Sequence, residues 1–534
     1  MIVHASAPTA AYLRRVPVLA NIAAATHVTT HKEIIERFLL LHAGDQCEEL
    51  RRVESERILR AQPFLADASV YPIPAGLGQV DLVVETTDEI AFVLEGTVSG
   101  GAPFARFVRF GNANLSGQGV YLAGDWRSGG AYHDGYGARY VDNQVLGRPY
   151  TLVLDGRRLP LGSEWETQAR HPFYTDIQRI AWQVRAGAHD DYVQFANDEH
   201  SRHGIRLSRN FFDIGGIVRL GPPGRLSLFG ASFSGDDERP GATPVLITDH
   251  GFAPDSGSAL ARQFVAHRIA RVNLLWGVRD IGFRRVRGFD ALSATQDLPV
   301  GFQFGTQFGR SLSVLGSRDD DIFMSGDLYA GAVGRTNAFR AQLVGEGRRD
   351  NSTAEWDGLL AAGRATEYLK ITSWNTTLAS IEFSGGWHQR VPFRLTLSDP
   401  IGGLHGYAGS DTPGAQRLVG RLENRSFIAR PRGLGDLGIG GFIEAGRLWA
   451  GDIPYGRNTP PRTSVGLTLF AAVPPASPRV WRVDLAFPVN PEPNGRHVEL
   501  RVSNGDRTPF VIPEPSDVRD AREPSVPVSV FRWP

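Results

Sequence analysis

The chain has 534 residues, of which 42% are hydrophobic, and its 57 basic and 57 acidic side chains leave no net formal charge. This length favours one small domain plus one large one. The sequence has no run of about 18 apolar residues, which is the minimum for a helical membrane span. The scattered charges exclude a basic surface for nucleic acid. The single cysteine, Cys47, excludes an internal disulfide or a cysteine metal cluster.

The first residues show only a weak targeting signal. Residues 1–20 contain Arg14 and Arg15 followed by a short apolar stretch, so we assign them to a leader or truncated signal region. The apolar stretch at 16–25 also suits the first strand of the domain that follows. The residues leave open whether a signal peptide is missing or degenerate.

Residues 21–90 predict a small α/β domain. The segment HKEIIERFLLLHAGD predicts a helix that ends at Gly44. Its apolar residues fall mostly on one face: Ile34, Ile35, Phe38, Leu39 and Leu41. A second helix is predicted in LRRVESERILRAQ, which Pro63 ends, and two strands are predicted in ADASVYPIP and QVDLVVETTDE. The predicted order is strand, helix, helix, strand, strand.

From Ala91 onward a two-residue alternation of apolar and polar side chains replaces the helical period. The segments PFRLTLSD, WRVDLAF and HVELRV show it. Such alternation is typical of a transmembrane β-barrel, and residues 91–503 allow about 16 strands at roughly 25 residues per strand and connection. A soluble barrel alternates in the same way, but Trp276, Trp449 and Trp481 at or near predicted strand ends favour the membrane form.

One motif narrows the interpretation. In IGGLHGYAGSDTPGAQRLVGRLENRSFIAR, a glycine pair precedes a tetrad, and five alternating segments follow. These residues are Gly402, Gly403, Leu404, His405, Gly406 and Tyr407. The stretch resembles the hallmark of the BamA-type outer-membrane insertase superfamily, a tetrad V/L-R-G-F/Y in the sixth outer loop of a 16-stranded barrel that has five strands behind it.

The resemblance implies a role for the tetrad. In that superfamily the loop folds back into the barrel, and its arginine pairs with acidic groups on the next two strands, here Glu423 and Glu444. His405 stands in place of the arginine, and an imidazole is only partly protonated near neutral pH. The latch is therefore weaker, pH-dependent, or assisted by Arg421 and Arg425. The alternative for Glu423 is that these two arginines on the same face satisfy it without the loop.

Two further segments resemble the same superfamily. The helix ending in LLLHAGD, then ESERILRAQPFLADASV and VDLVVETTDE, are similar to a POTRA domain just before a barrel. FVRFGNANLSGQGVYLAGDW is similar to the second and third barrel strands. A second tetrad, 286–289, lies too early and is interpreted as an ordinary loop. The expected fold is mainly β, an antiparallel transmembrane barrel of about 16 strands preceded by a small α/β POTRA-like domain.

The last region, 504–534, contains several prolines, which argue against a strand. We predict a Pro-rich C-terminal tail there that is sensitive to protease.

The functional expectation is an outer-membrane protein with its N-terminal domain in the periplasm. It would assemble, insert or translocate outer-membrane clients, which the POTRA-like domain would capture unfolded, and the lipid bilayer would surround the barrel. Accessory proteins of the periplasm or of the lipoprotein class are left open. No nucleophile motif, metal cluster or cofactor motif is found, so we expect no enzyme activity, no metal and no cofactor. The alternative is a passive outer-membrane channel or structural surface antigen without insertase activity.

Overall fold

The computed structural model describes residues 1–8, 28–98, 105–196, 201–260, 263–492, 497–505 and 514–523. They form a small three-stranded sheet with two helices, a closed β-barrel and one short helix near the C-terminus. Within these ranges no helix combines the length and the apolarity needed to cross a membrane.

The N-terminal domain contains, among the described residues, one strand, two helices and two further strands in chain order. They are β1 (Ile2–Ser6), α1 (Lys32–Glu36), α2 (Glu49–Arg60), β2 (Leu65–Gly76) and β3 (Gln79–Asp88). The sheet order is β1-β3-β2, with β1 parallel and β2 antiparallel to β3. Strand β1 lies inside the region assigned to a leader, and the strand expected at 16–25 lies outside the described residues.

The two helices differ from their predicted extents. Helix α1 ends at Glu36 rather than at Gly44, because the amides of Phe38 and Leu39 bond to carbonyls three residues back, which tightens the last turn. The apolar residues of this segment are nevertheless buried in the domain core. In α2, Leu50 is exposed while Glu56 is buried, because the buried side of this helix faces the barrel as well as the sheet.

In the part of the chain that the structure describes, twenty strands close the barrel wall. The first nine are β4 (Phe92–Val98), β5 (Ala105–Asn112), β6 (Val120–Arg127), β7 (Gly135–Asp142), β8 (Thr151–Arg158), β9 (Ser163–His171), β10 (Ile180–Ala196), β11 (Ser201–Leu220) and β12 (Leu226–Pro240). A hairpin of β13 (Val245–Thr248) and β14 (Gly251–Pro254) follows and extends one end of β11. The remaining wall strands are β15 (His267–Arg287), β16 (Thr295–Ser311), β17 (Asp321–Val333), β18 (Asn337–Asp350), β19 (Trp356–Thr372), β20 (Asn375–Trp387), β21 (Gln416–Ala429), β22 (Asp436–Trp449), β23 (Arg462–Ala472), β24 (Val480–Pro488) and β25 (Glu499–Gly505).

The prediction of about 16 strands is therefore wrong. The prediction assumed roughly 25 residues for each strand with its connection. Several connections are very short, for example 334–336 between β17 and β18 and 373–374 between β19 and β20, so the same chain length holds more strands. The segment PFRLTLSD is not a wall strand. It lies in the long connection between β20 and β21, where Leu395 makes an isolated bridge to Gly414.

The wall has an apolar outer face and a polar inner face. On β21, Leu422 is 48% exposed, whereas Arg417, which points into the lumen, is 1% exposed. Leu467 and Leu469 on β23 are also exposed on the outside. Trp449 ends β22 and Trp481 lies near the start of β24, as predicted, but Trp276 lies in the middle of β15.

The N-terminal domain sits on one end of the barrel, which we call the proximal end; the opposite end is the distal end. The turn between β5 and β6 docks on the domain, because Asn114 Nδ2 donates to Thr30 Oγ1 at 2.8 Å. A Cβ on Gly117 in this turn would lie 2.4 Å from the Thr29 carbonyl oxygen, so glycine allows the approach. The segment that resembles the second and third barrel strands does form them, as β5 and β6.

Helix α2 lies across the proximal mouth. The Arg60 guanidinium donates to both carboxylate oxygens of Asp297 on β16, at 2.8 and 2.9 Å. Glu56 pairs with Arg285 at the end of β15. Arg479 at the edge of β24 donates to the Pro63 carbonyl at 3.1 Å. The domain is therefore held to several turns around the rim.

Candidate functional site

The motif residues lie in the connection 388–415, which we call the lumen loop. Among the described residues, five wall strands, β21 to β25, follow the loop as predicted, but fifteen precede it rather than eleven. Leu404 and Tyr407 are buried in a cluster that also contains Leu395 and Leu448 of β22. The loop is thus folded into the barrel, as the family resemblance implies.

The glycine pair lets the loop turn back on itself inside the lumen. The amide of Leu404 donates to the Leu397 carbonyl at 2.9 Å. A Cβ on Gly403 would lie 2.2 Å from the same carbonyl oxygen, and a Cβ on Gly402 would lie 2.1 Å from Arg417 Nη2. A Cβ at Gly403 would therefore clash with the backbone of the loop itself and open its turn, whereas a Cβ at Gly402 would displace the end of the Arg417 side chain.

His405 contacts the wall through both its backbone and its ring. Its amide donates to Glu444 Oε2 at 3.0 Å, and its Nδ1 lies 2.9 Å from Glu444 Oε1. Its Nε2 lies 3.9 Å from a carboxylate oxygen of Asp484 on β24. Glu444 is therefore a wall partner of the tetrad. Asp484 is a second acidic neighbour, which was not predicted from sequence. It lies on the polar face of the segment WRVDLAF, and this alternation is the signal that could have identified it.

Arg421 on β21 supports the same contact. Its Nε lies 3.2 Å from Glu444 Oε1, and its Nη2 donates to the Ile401 carbonyl at 3.2 Å. It also donates to the Gly403 carbonyl. One arginine thus bridges the loop backbone and the carboxylate that receives His405, which is the assistance the sequence analysis considered.

Glu423 and Arg425 do not contact the lumen loop in the part of the chain that the structure describes. Arg425 Nε donates to Glu423 Oε1 at 2.6 Å, and Arg482 on β24 approaches Oε2 at 3.3 Å. These residues lie nearer the proximal end of β21 than Arg421 does, below the reach of the tetrad. The Glu423 carboxylate is thus bound by two arginines and not by the loop, as the alternative interpretation predicted. The second arginine is Arg482 instead of the predicted Arg421.

The end of the tetrad braces the last strands of the barrel. The Tyr407 hydroxyl lies 3.1 Å from the carbonyls of Thr463 and Asn490. The amide of Ala408 donates to Glu499 Oε2 on β25 at 3.1 Å. Burial raises the pKa of Tyr407, which keeps its hydroxyl a donor. The loop therefore spans from β22 to β25.

The last strand, β25, closes the barrel against the first, β4, through a short ladder. Only two residue pairs are registered among the described residues, Arg501 with Thr97 and Val502 with Gly96. The flanking ladders β24–β25 and β4–β5 have seven pairs each. We call this short ladder the seam. The lumen-loop contact at Glu499 lies next to it.

The second tetrad, 286–289, lies at the end of β15 and the start of the turn that connects it to β16. The turn 288–294 between β15 and β16 folds into the proximal part of the lumen, where Lys370 Nζ donates to the Gly288 carbonyl at 2.9 Å. Arg425 donates to the Asp290 carbonyl at 2.8 Å. Leu292 packs on Phe470 of β23. Its apolar residues explain why it leaves the solvent and crosses to the opposite wall.

Within the described ranges, no group of three or more histidine, cysteine or acidic side chains is placed to hold a metal ion.

No family model matches the chain, and no curated protein matches it. Solved structures do. BamA from Haemophilus ducreyi lacking POTRA domains 1–3 is 12% identical, with 89% of this chain and 82% of that chain covered and a TM-score of 0.38. CdiB from Escherichia coli is 11% identical, with 90% and 74% covered and a TM-score of 0.41. CdiB from Acinetobacter baumannii is 9% identical, with 89% and 72% covered and a TM-score of 0.34. BamA and CdiB are Omp85/TpsB superfamily proteins.

Proposed function

We propose that this protein resides in the outer membrane and inserts or translocates polypeptides there through the seam of its barrel. The apolar outer wall suits a lipid bilayer, and the polar lumen suits an interior shielded from it. The tetrad with its glutamate contact supports the superfamily resemblance from which the activity is inferred.

The seam is the observation that carries the proposal. Backbone N–H and C=O groups left unpaired in lipid cost several kcal/mol each. Among the described residues the seam has two registered residue pairs, whereas each neighbouring ladder has seven. The seam is therefore a weak closure of the barrel. An incoming extended segment that pairs with β4 or β25 would satisfy these groups, so the seam can template client strands.

The N-terminal domain supplies the first encounter in this proposal. Its order of elements and its sheet order β1-β3-β2 suit a POTRA-like domain. Side chains of α2 occupy part of the outer edge of β2, because Arg52 and Arg60 donate to the Val70 and Ala68 carbonyls. The proposal therefore places strand addition by an extended client segment on β1, which among the described residues pairs only with β3. With the domain seated at the proximal mouth, we place that mouth in the periplasm.

A disulfide across the seam tests the proposal. In a Cys47→Ser background, Gly96→Cys with Val502→Cys would place two thiols directly opposite each other. The matched control, Val483→Cys with Val502→Cys, joins β24 to β25, which are already fully paired. Both proteins are reconstituted in liposomes and supplied with an unfolded outer-membrane barrel as client, whose folding is followed by heat-modifiable migration.

We expect oxidation to stop client folding in the seam-locked protein, reduction to restore it, and the control to remain active throughout. A seam-locked protein that still assembles clients would contradict the proposal. Full retention of the bilayer-inserted barrel with no client assembly in any variant would instead favour the passive channel or surface antigen.

A further inference from the structure

The described part of the C-terminal tail lies inside the barrel. Residues 514–523 contain helix α3 (Ser516–Ala521), and Val518 on this helix is fully buried among apolar residues of the lumen loop. The prolines that exclude a strand in this region do not exclude one short helix. We call residues 514–523 the lumen segment.

One end of the lumen segment is bound to the lumen loop and to β21. Asp517 receives two hydrogen bonds from the Arg417 guanidinium, at 2.5 and 3.1 Å. The amide of Thr396 in the loop donates to Asp517 at 3.3 Å. Asp399 of the loop accepts from the Asp517 amide at 3.2 Å and from the Ser516 hydroxyl.

The other end is bound to strands farther around the wall. Glu523 is 2% exposed and receives Arg348 Nη2 of β18 at 2.6 Å and also Arg271 of β15. Arg522 donates to Glu346 Oε2 on β18 at 3.0 Å. Arg209 of β11 donates to the Arg522 carbonyl at 3.2 Å. The segment therefore crosses from β21 to β11 inside the ring.

The charges of the segment and of the wall are complementary in order. The segment presents an acidic, a basic and an acidic side chain at Asp517, Arg522 and Glu523. The wall presents the opposite charge at each of these three positions. The partners are Arg417 for the first, Glu346 for the second, and Arg271 with Arg348 for the third. Buried arginines without these carboxylates would be costly, so the wall presents a site built for an occupant of this charge pattern.

We propose that the lumen holds a peptide-binding site for a segment with this acid–base–acid pattern, and that the chain's own residues 514–523 fill it as a removable plug. Once vacated, the same site takes an added peptide of the same chemistry. The inference concerns the lumen and not the seam, so it stands or falls independently of client insertion.

The first test uses the full chain with a specific protease site placed between residues 505 and 514. After cutting, size-exclusion chromatography and mass spectrometry measure whether the C-terminal fragment stays with the barrel, whose fold is checked by heat-modifiable migration. The test variant is Asp517→Asn with Glu523→Gln. The matched control is Asp520→Asn, whose side chain lies on the same segment and is 69% exposed.

We expect the parent and the Asp520→Asn protein to retain the fragment and the double variant to release it. Release from all three proteins would overturn the plug, and retention by all three would overturn the role of the charge pattern.

The second test asks whether the emptied site takes a peptide in trans. The cut and emptied double variant is titrated with a fluorescein-labelled peptide of sequence EPSDVRDARE, and anisotropy reports binding. We expect binding that is at least about tenfold weaker for a peptide carrying both amide changes, since hydrogen bonds to charged groups contribute at this level. The uncut parent should not bind the labelled peptide. Absence of binding to the emptied barrel, or equal binding of both peptides, would overturn the trans site.

Discussion

His405 and Glu444 make a two-point contact: one carboxylate accepts from the His405 amide at 3.0 Å and lies 2.9 Å from its Nδ1. Arg421 reaches the same carboxylate at 3.2 Å. Because the backbone of the loop takes part, the carboxylate holds the loop even apart from the imidazole. Glu444 is therefore more central to the latch than the residue at position 405.

His405→Arg should strengthen this latch. A guanidinium is always charged and offers a fork of donors, whereas an imidazole is charged only when protonated. Glu444 and Asp484 both lie within 4 Å of the present ring, so an arginine has two acceptors. We expect a gain of about 1.5–3 kcal/mol in unfolding free energy, measured as a higher Tm at about pH 7.5.

The background variants separate the latch from a general effect of charge. Glu444→Gln should remove most of the gain, whereas Glu423→Gln should preserve it, because Glu423 contacts Arg425 and Arg482 rather than the loop. An equal Tm for the parent and His405→Arg would mean that the tetrad does not hold the loop in this way.

Glu423→Gln and Glu444→Gln should also differ in whether they expose the lumen loop to protease. Loss of the Glu423 carboxylate leaves Arg425 and Arg482 with weaker acceptors in the wall, which should lower the unfolding free energy by about 1.5–3 kcal/mol. Only loss of Glu444 should free the lumen loop. Trypsin cleavage after Arg394 in the loop, followed by mass spectrometry, measures this difference. Cleavage in both variants at the same rate would contradict the assignment.

Limited proteolysis should spare the lumen segment. Arg522 is buried beside Glu346 and Glu514, so trypsin should not cleave after it in the folded barrel, contrary to the protease-sensitive tail that the sequence predicted. The same bond should be cut at once in urea-unfolded protein, which serves as the control. Early cleavage after Arg522 in folded protein would show that the segment does not stay in the lumen.

The sequence predicted features that depend on short-range pattern. The five strands after the lumen loop follow from alternation within each segment, and the β5–β6 turn follows from a local string of asparagines and glycines. The strand total did not follow, because it depends on the lengths of connections that alternation does not define. The pairing of His405 with Glu444 was predicted from the resemblance, because Glu444 lies on the second strand after the loop.

The contacts that were predicted wrongly or not at all are those that depend on how far a segment reaches into the lumen. Whether the tetrad reaches Glu423 or stops at Glu444 is decided by how far the loop folds inward, which parity along β21 does not encode. The partners of Glu523, Arg271 and Arg348, are single arginines on strands far away in the chain. Nothing in a proline-containing tail identifies them in advance.

The docking of the N-terminal domain should show coupling between Arg60 and Asp297. Their two hydrogen bonds join α2 to β16 across the proximal mouth, and both side chains are largely buried, at 7% and 9% exposure. We expect a double-mutant cycle of Arg60→Gln and Asp297→Asn to give a coupling energy of about 0.5–3 kcal/mol, measured by hydrogen exchange of the α2 amides. Arg51→Gln is the control, because its partner Glu48 lies in the same domain and is half-exposed. Independent, additive effects of the Arg60 and Asp297 changes would mean that this pair does not hold the domain against the barrel.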